Sequence, residues 1–254
     1  MFGLPNFRGS CWVNACLQGI FRIPELQTRY SNDKADPENK LDLSIQRIWD
    51  SKGTDGLRDF FNSVKAESLP AGSNVGDSHE LFVYLCDKLP FLDKVCRFKV
   101  ADSIKCSSCD YIELKEDSLI EFSIHPTKKG MNIVDCVADA VSIKTNPDWK
   151  CEKCSNKGCT QQLLLGEFPK TLVFHVTSVG TSIEYSSVVI INKIKYCLLS
   201  VISYNGAHWW AYSRDMPPGK PWYTIDDTRV REHRSDEFPM SETMRVLIYY
   251  RLDE

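Results

Sequence analysis

Near residue 97 the hydrophobic period of the chain changes, and that change limits the fold more than any other feature of the sequence. Before it, apolar residues recur every three or four positions, the period of a helix packed on one face. After it, they alternate or run together in β-branched and aromatic stretches, the pattern of strands. Helices are expected over 11–21, 43–49, 57–64 and 80–89. In the first, Trp12, Cys16 and Ile20 fall on one face beside Val13 and Leu17, and Pro24 closes the segment. The last starts at Asp77-Ser78 and stops at Pro90. Polar loops rich in Gly, Pro and Asp cover 32–40 and 68–76. Strands are expected over 113–124, 171–177, 186–191, 196–204, 207–213, 222–225 and 245–251. A helical front packed on a later antiparallel sheet is an α+β architecture. A cleft between two such lobes draws its residues from both ends of the chain.

Composition narrows the function. With 254 residues the chain can bury a sizeable core, and a formal charge of −3 lacks the basic excess of a nucleic-acid binder. The longest apolar stretches, 188–191 and 196–202, are strand-length and too short for a bilayer, so no membrane partner is expected. The first residues, Met-Phe-Gly-Leu-Pro-Asn, lack the basic start and apolar run of a secretory signal. Met1 stands so close to the first motif that the chain reads as a domain of a longer protein. Eleven cysteines are an odd number and a small share of this length, four of them lie in two CxxC pairs, and no N-x-S/T acceptor occurs. That usage fits a reducing cytoplasm or nucleus better than a secreted disulfide scaffold.

Cys11 follows a Gly- and Pro-containing loop and begins an apolar helix. A thiol there feels the positive end of the helix dipole, which favours the thiolate. Its local context equally allows a buried cysteine packed beside Trp12. A thiolate nucleophile needs an imidazole, and the five histidines differ in setting. His125 and His233 lie in polar or charged stretches, and His79 and His175 sit in a helix start and a strand, where a structural role is the default. His208 lies in Tyr204-Asn205-Gly206-Ala207-His208-Trp209-Trp210-Ala211-Tyr212, a turn entering an aromatic strand. Trp222-Tyr223-Thr224-Ile225-Asp226-Asp227 then ends a further strand in two carboxylates. On adjacent strands, one of them could reach the far ring nitrogen of His208 and set its tautomer.

Cys106-Ser-Ser-Cys109 and Cys151-Glu-Lys-Cys154 each form a knuckle offering two sulfurs. Two knuckles complete a tetrahedral four-cysteine site for a structural Zn2+, with no open position for water. Cys159 is a spare ligand. Free or disulfide-bonded cysteines are the plain alternative, and a nucleic-acid zinc ribbon is the competing idea, against which the acidic balance speaks.

The string Gly3-Leu4-Pro5-Asn6-Phe7-Arg8-Gly9-Ser10-Cys11-Trp12-Val13-Asn14-Ala15-Cys16-Leu17-Gln18 resembles the Cys box of the ubiquitin-specific proteases, G-L-x-N-x-G-N-T-C-Y-M-N-S-x-L-Q. The region of His208 resembles their His box and the W-x-x-F-D/N-D segment that follows it. Asp77-Ser78-His79-Glu80-Leu81-Phe82 is similar to their Q-Q-D-A-x-E-F box, with Val75 and Gly76 in place of the glutamines. Segment 167–175 and the closing Val246-Leu247-Ile248-Tyr249-Tyr250-Arg251 resemble two of their sheet strands, so the likeness runs nearly end to end.

This resemblance implies a papain-like fold of one catalytic domain: a helical thumb at 1–95, zinc-bearing fingers and part of the palm at 96–170, and the palm sheet at 171–254. It implies Cys11 as nucleophile, His208 as base, Asp226 as the orienting carboxylate and Asn6 as oxyanion donor. Asp227 takes the second acidic position, supporting the oxyanion site or a bridging water. Asp77 is implied to contact the basic tail of the modifier, though its sequence position suits a helix N-cap equally. Trp209, standing for the family's tyrosine, is implied on the substrate-binding side. The implied activity is isopeptide cleavage of ubiquitin or a ubiquitin-like modifier from its conjugates by a monomeric enzyme. The alternatives are a protease for SUMO or the interferon-induced modifier, and an inactive homologue that only binds, since Arg8 and Gly9 replace Gly-Asn before the nucleophile.

Overall fold

Helix α1 (Cys11–Ile20) is buried along its whole length and forms the axis of the molecule. In the computed structural model, which describes residues 1–69, 73–126, 128, 130–177, 183–216, 219–234, 240–241 and 243–252, it packs between the other N-terminal helices and a large sheet. Part of the expected 68–76 loop, residues 70–72, therefore lies outside the described residues. Around α1 stand α2 (Pro24–Ser31), α3 (Lys40–Asp50), α4 (Leu57–Ser68), α5 (Ser78–Lys88) and α6 (Pro90–Cys96). Pro24 and Pro90, read from sequence as stops, each also open a new helix at its first turn. A proline there loses nothing, because the N–H it lacks has no intrahelical acceptor.

Thirteen further elements follow: β1 (Phe98–Cys106), β2 (Ile112–Leu119), β3 (Phe122–Ile124), α7 (Ile133–Ala140), β4 (Lys144–Lys150), β5 (Lys157–Leu165), β6 (Thr171–Val176), β7 (Val188–Ile191), β8 (Ile194–Tyr204), β9 (Trp209–Ser213), β10 (Tyr223–Asp226), β11 (Arg229–Glu232) and β12 (Met244–Arg251). They make a four-stranded antiparallel sheet, ordered β2-β1-β5-β4, and an eight-stranded sheet, ordered β11-β10-β9-β8-β12-β6-β3 with β7 paired to β8. The strand expected over 113–124 is split, and its halves β2 and β3 join different sheets. Strand β4 escaped sequence reading because Lys-Thr-Asn-Pro-Asp-Trp-Lys is exposed on both faces and carries no alternation.

The large sheet separates two cores with a period of two. On β12, Val246 and Ile248 face the helices, while Leu247 and Tyr249 face the second core with Ile133 and Val137 of α7. Helix and sheet approach closely at Gly19: a Cβ there would lie 2.8 Å from Ile202 Cδ1, and Ser200 Oγ donates to the Gly19 carbonyl at 3.1 Å. This contact brings the start of α1 against the start of β9, which sets the cleft.

Candidate active site

The loop before α1 is held from the far end of the chain. Asn6 Oδ1 accepts from the Gly9 and Ser10 amides at 3.0 and 3.1 Å, closing a turn in which Arg8 and Gly9 both have positive φ. Asn6 Nδ2 donates to Asp227 Oδ2 at 2.8 Å, and Asn14 Nδ2, one turn after Cys11, donates to Asp227 Oδ1 at 2.7 Å. The Leu4 amide donates to the Asp227 carbonyl at 2.9 Å. Gly3 passes so close to this turn that a Cβ would lie 2.6 Å from the Thr228 carbonyl oxygen. Asp227 itself sits in the left-handed region with φ 52°. One aspartate thus ties Asn6, Asn14 and the N-terminal segment together.

His208 enters at the start of β9, its amide accepted by Asn205 Oδ1 at 2.9 Å. Its Nε2 lies 2.6 Å from Asp226 Oδ1 at the end of β10, and 4.0 Å from Asp227 Oδ2. Pairing of β9 with β10 makes this contact, as the two-strand reading required. With Nε2 on the carboxylate, Nδ1 is the nitrogen left for a thiol. The backbone of Trp209, the residue after His208, and the Asp227 carboxylate both act on the Cys11 thiol, which places the thiol beside the imidazole strand and the carboxylate pair.

The Cys11 thiol departs from the expected acidic shift. Burial pushes it above its ordinary value; the Trp209 amide pulls it down, the Asp227 carboxylate pushes it up, and the amides of α1 pull it down less. Desolvation outweighs the helix terminus because the residue is only 7% exposed. In a His208→Ala variant, iodoacetamide alkylation of Cys11 should therefore rise about tenfold per pH unit to beyond the free-cysteine range. A plateau below that range would contradict the burial account.

Asp77 caps α5, its Oδ1 accepting from the His79 and Glu80 amides at 2.6 and 3.3 Å. Trp209 is 4% exposed and stacks on Tyr204 with centroids 4.4 Å apart, so its indole lies beneath the cleft rather than on its surface. Asn14 and Ser78 were given no role from sequence; Ser78 Oγ donates to the Trp12 carbonyl at 2.8 Å. The available signal was polarity: Asn14 and Gln18 stand one turn apart in a helix otherwise apolar and wholly buried.

Two departures from the family motifs form one packing pair. A Cβ on Gly76 would lie 2.8 Å from Trp12 Cε2, and the indole Nε1 donates to the Asn74 carbonyl at 3.1 Å. The larger ring at position 12 is accommodated by the smaller residue at 76. Gly76→Ala should destabilise the fold by about 1–3 kcal/mol through overpacking. Thermal unfolding of Gly76→Ala with and without Trp12→Phe checks this, and the pair must be less than additive.

At the tip of the small sheet, Cys106 and Cys109 meet Cys151 and Cys154. The Cys106–Cys154 and Cys109–Cys151 sulfur pairs are each 3.8 Å apart. That is far beyond a disulfide and close to the edge of a tetrahedron with metal–sulfur bonds of about 2.3 Å. The Ser108 amide donates to Cys106 Sγ at 3.3 Å, as in a metal knuckle. Cys159 is buried in β5 opposite Cys106 and stands outside the group of four. The donor set fits zinc.

A buried thiol at a helix start, an imidazole on a facing strand and a carboxylate behind it, in an α+β frame of helical lobe and palm sheet, define the papain-like cysteine hydrolase class. The sequence matches the family model for ubiquitin carboxyl-terminal hydrolase over residues 2–249, and the chain belongs to that family. It is 22% identical to "Probable ubiquitin carboxyl-terminal hydrolase 8" of Schizosaccharomyces pombe over 298 residues, covering 98% of this chain and 64% of that protein. To "Ubiquitin carboxyl-terminal hydrolase 2" of Bos taurus it is 24% identical over 186 residues, 61% of this chain and 30% of that protein. The chain thus spans less than two thirds of either relative. Its fold is similar to the SAGA DUB module Ubp8/Sgf11/Sus1/Sgf73 bound to monoubiquitin, with TM-score 0.83 at 17% identity over 100% of this chain and 69% of that one. The same module bound to ubiquitin aldehyde gives 0.81 at 16% identity, covering 100% and 70%.

Proposed function

We propose that this chain is a thiol-dependent isopeptidase that removes ubiquitin from conjugated proteins. The observation that carries the reading is the 2.6 Å pairing of His208 with Asp226, whose neighbour Asp227 holds Asn6 and Asn14 on either side of Cys11 in sequence. Cys11, deprotonated by His208, attacks the carbonyl of ubiquitin's terminal glycine. Asn6 Nδ2 has two hydrogens; one is bonded to Asp227, and the other is the oxyanion donor, a role worth about 3 kcal/mol in comparable sites. His208 then protonates the departing lysine amine, and water activated by the same imidazole releases ubiquitin from the acyl-enzyme. Asp77 offers a carboxylate to the arginines of the modifier tail in addition to capping α5.

Cys106, Cys109, Cys151 and Cys154 hold a structural zinc ion, which cross-links the two hairpins of the small sheet and takes no part in the chemistry. The chain acts as a monomer in a reducing compartment, cytoplasm or nucleus, where its cysteines stay free of disulfides. Relatives named for ubiquitin favour that modifier over SUMO or the interferon-induced one. The test is a panel of covalent probes built on each modifier, followed by mass spectrometry. A ubiquitin adduct on Cys11 is expected; an adduct with another modifier alone rejects the substrate, and binding without an adduct rejects the enzyme.

A further inference from the structure

His79, Glu121 and His175 meet outside the catalytic group, and each comes from a different element: the first turn of α5, the turn between β2 and β3, and β6. The two imidazoles lie face to face, centroids 3.4 Å apart and planes 13° from parallel. Glu121 Oε2 is hydrogen-bonded to His79 Nε2, and Oε1 accepts from Ser123 Oγ at 3.1 Å. His175 Nδ1 faces the same carboxylate at 3.7 Å from Oε1, beyond hydrogen-bond range. The side chains are 16%, 14% and 21% exposed, respectively, and one ligand atom from each falls within 4.8 Å of the others.

Two imidazoles stacked against one carboxylate bring three ligand groups together from three elements, and the 3.7 Å gap leaves His175 Nδ1 with no hydrogen bond to Glu121. We propose that His79, Glu121 and His175 form a site for a divalent transition-metal ion, zinc by its two-nitrogen, one-oxygen ligand set, separate from the four cysteines and from the catalytic group. One ligand atom from each residue already lies within 4.8 Å of the others, and three protein ligands leave a fourth position open. The ion joins α5 to the large sheet. Because Ser78, beside His79, holds the carbonyl of Trp12 next to Cys11, the clamp fixes the wall of the cleft.

Native mass spectrometry of the full chain in buffered zinc tests the site, in a Cys11→Ala background so that the reactive thiol does not compete. Glu121→Gln and His175→Gln should each carry one zinc fewer than the parent, and His208→Asn the same number. Glu121 lies in a turn, so Glu121→Gln keeps the comparison valid if His175→Gln fails to fold. An unchanged count in Glu121→Gln overturns the proposal, as does loss of a zinc only in His208→Asn. The readout is a difference of one ion and does not depend on whether the cysteine site is loaded.

Discussion

Cys11→Ala should reduce cleavage of a ubiquitin C-terminal fluorogenic substrate to background, a loss on the order of 10⁶ in kcat where a nucleophile is removed from a working unit. Equal rates for the two proteins would reject the mechanism. The carboxylates refine this result, and their order reverses the simple expectation. Asp226 accepts one N–H from His208. An amide oxygen can do the same, as in enzymes that use Cys-His-Asn, so Asp226→Asn should retain much of the activity while Asp226→Ala loses it. Asp227 accepts two amide donors, one on each oxygen. Asparagine there offers one acceptor and one donor, and the donor must face Asn6 or Asn14. That mismatch costs about 1–3 kcal/mol and displaces the oxyanion loop, so Asp227→Asn should lower kcat about a hundredfold or more. If Asp226→Asn proves more damaging than Asp227→Asn, the assignment of these two roles is wrong.

The second large effect concerns the small sheet. Strand β4 is exposed along nearly its whole length, and β2 is mostly exposed as well, so little apolar burial holds the tip of this sheet together. With zinc held as proposed, the four sulfurs are therefore its principal cross-link. Structural zinc in small domains contributes about 10–16 kcal/mol of binding free energy, most of which appears as folding free energy. Cys151→Ser, or a strong chelator, should unfold β4, β5 and the knuckles while α1 to α6 remain folded on the large sheet. Hydrogen exchange read by mass spectrometry would show protection lost in 144–165 and kept in 11–20. Unchanged protection of 144–165 after verified metal removal would show that the sheet stands without the ion.

The parts of the fold legible in sequence were those with an uninterrupted period. Helices α1, α3, α4 and α5 and strands β6, β8, β9, β10 and β12 each bury one face or both, so their apolar spacing records their environment. Elements without that record were missed. Helices α2 and α7 are eight residues each, too short to establish a period, and β4 buries almost nothing. The upward push of burial on the Cys11 thiol was not legible in sequence for a related reason. The helix start is a local feature visible in sequence, but the burial that opposes it comes from chain segments two hundred residues away.

By itself the sequence determined the α+β division and the two sulfur knuckles, and it singled out Cys11, His208, Asp226 and Asp227 as candidates. Those depend on residue type and short spacing, which a linear chain displays. Only the tertiary structure decided that Asp227 holds both Asn6 and Asn14, that Gly76 makes room for Trp12, and that His79, Glu121 and His175 meet. These pairings join distant segments, and the pressures behind them, a shared carboxylate, a filled volume and converging nitrogens, arise only once folding has brought the partners into contact.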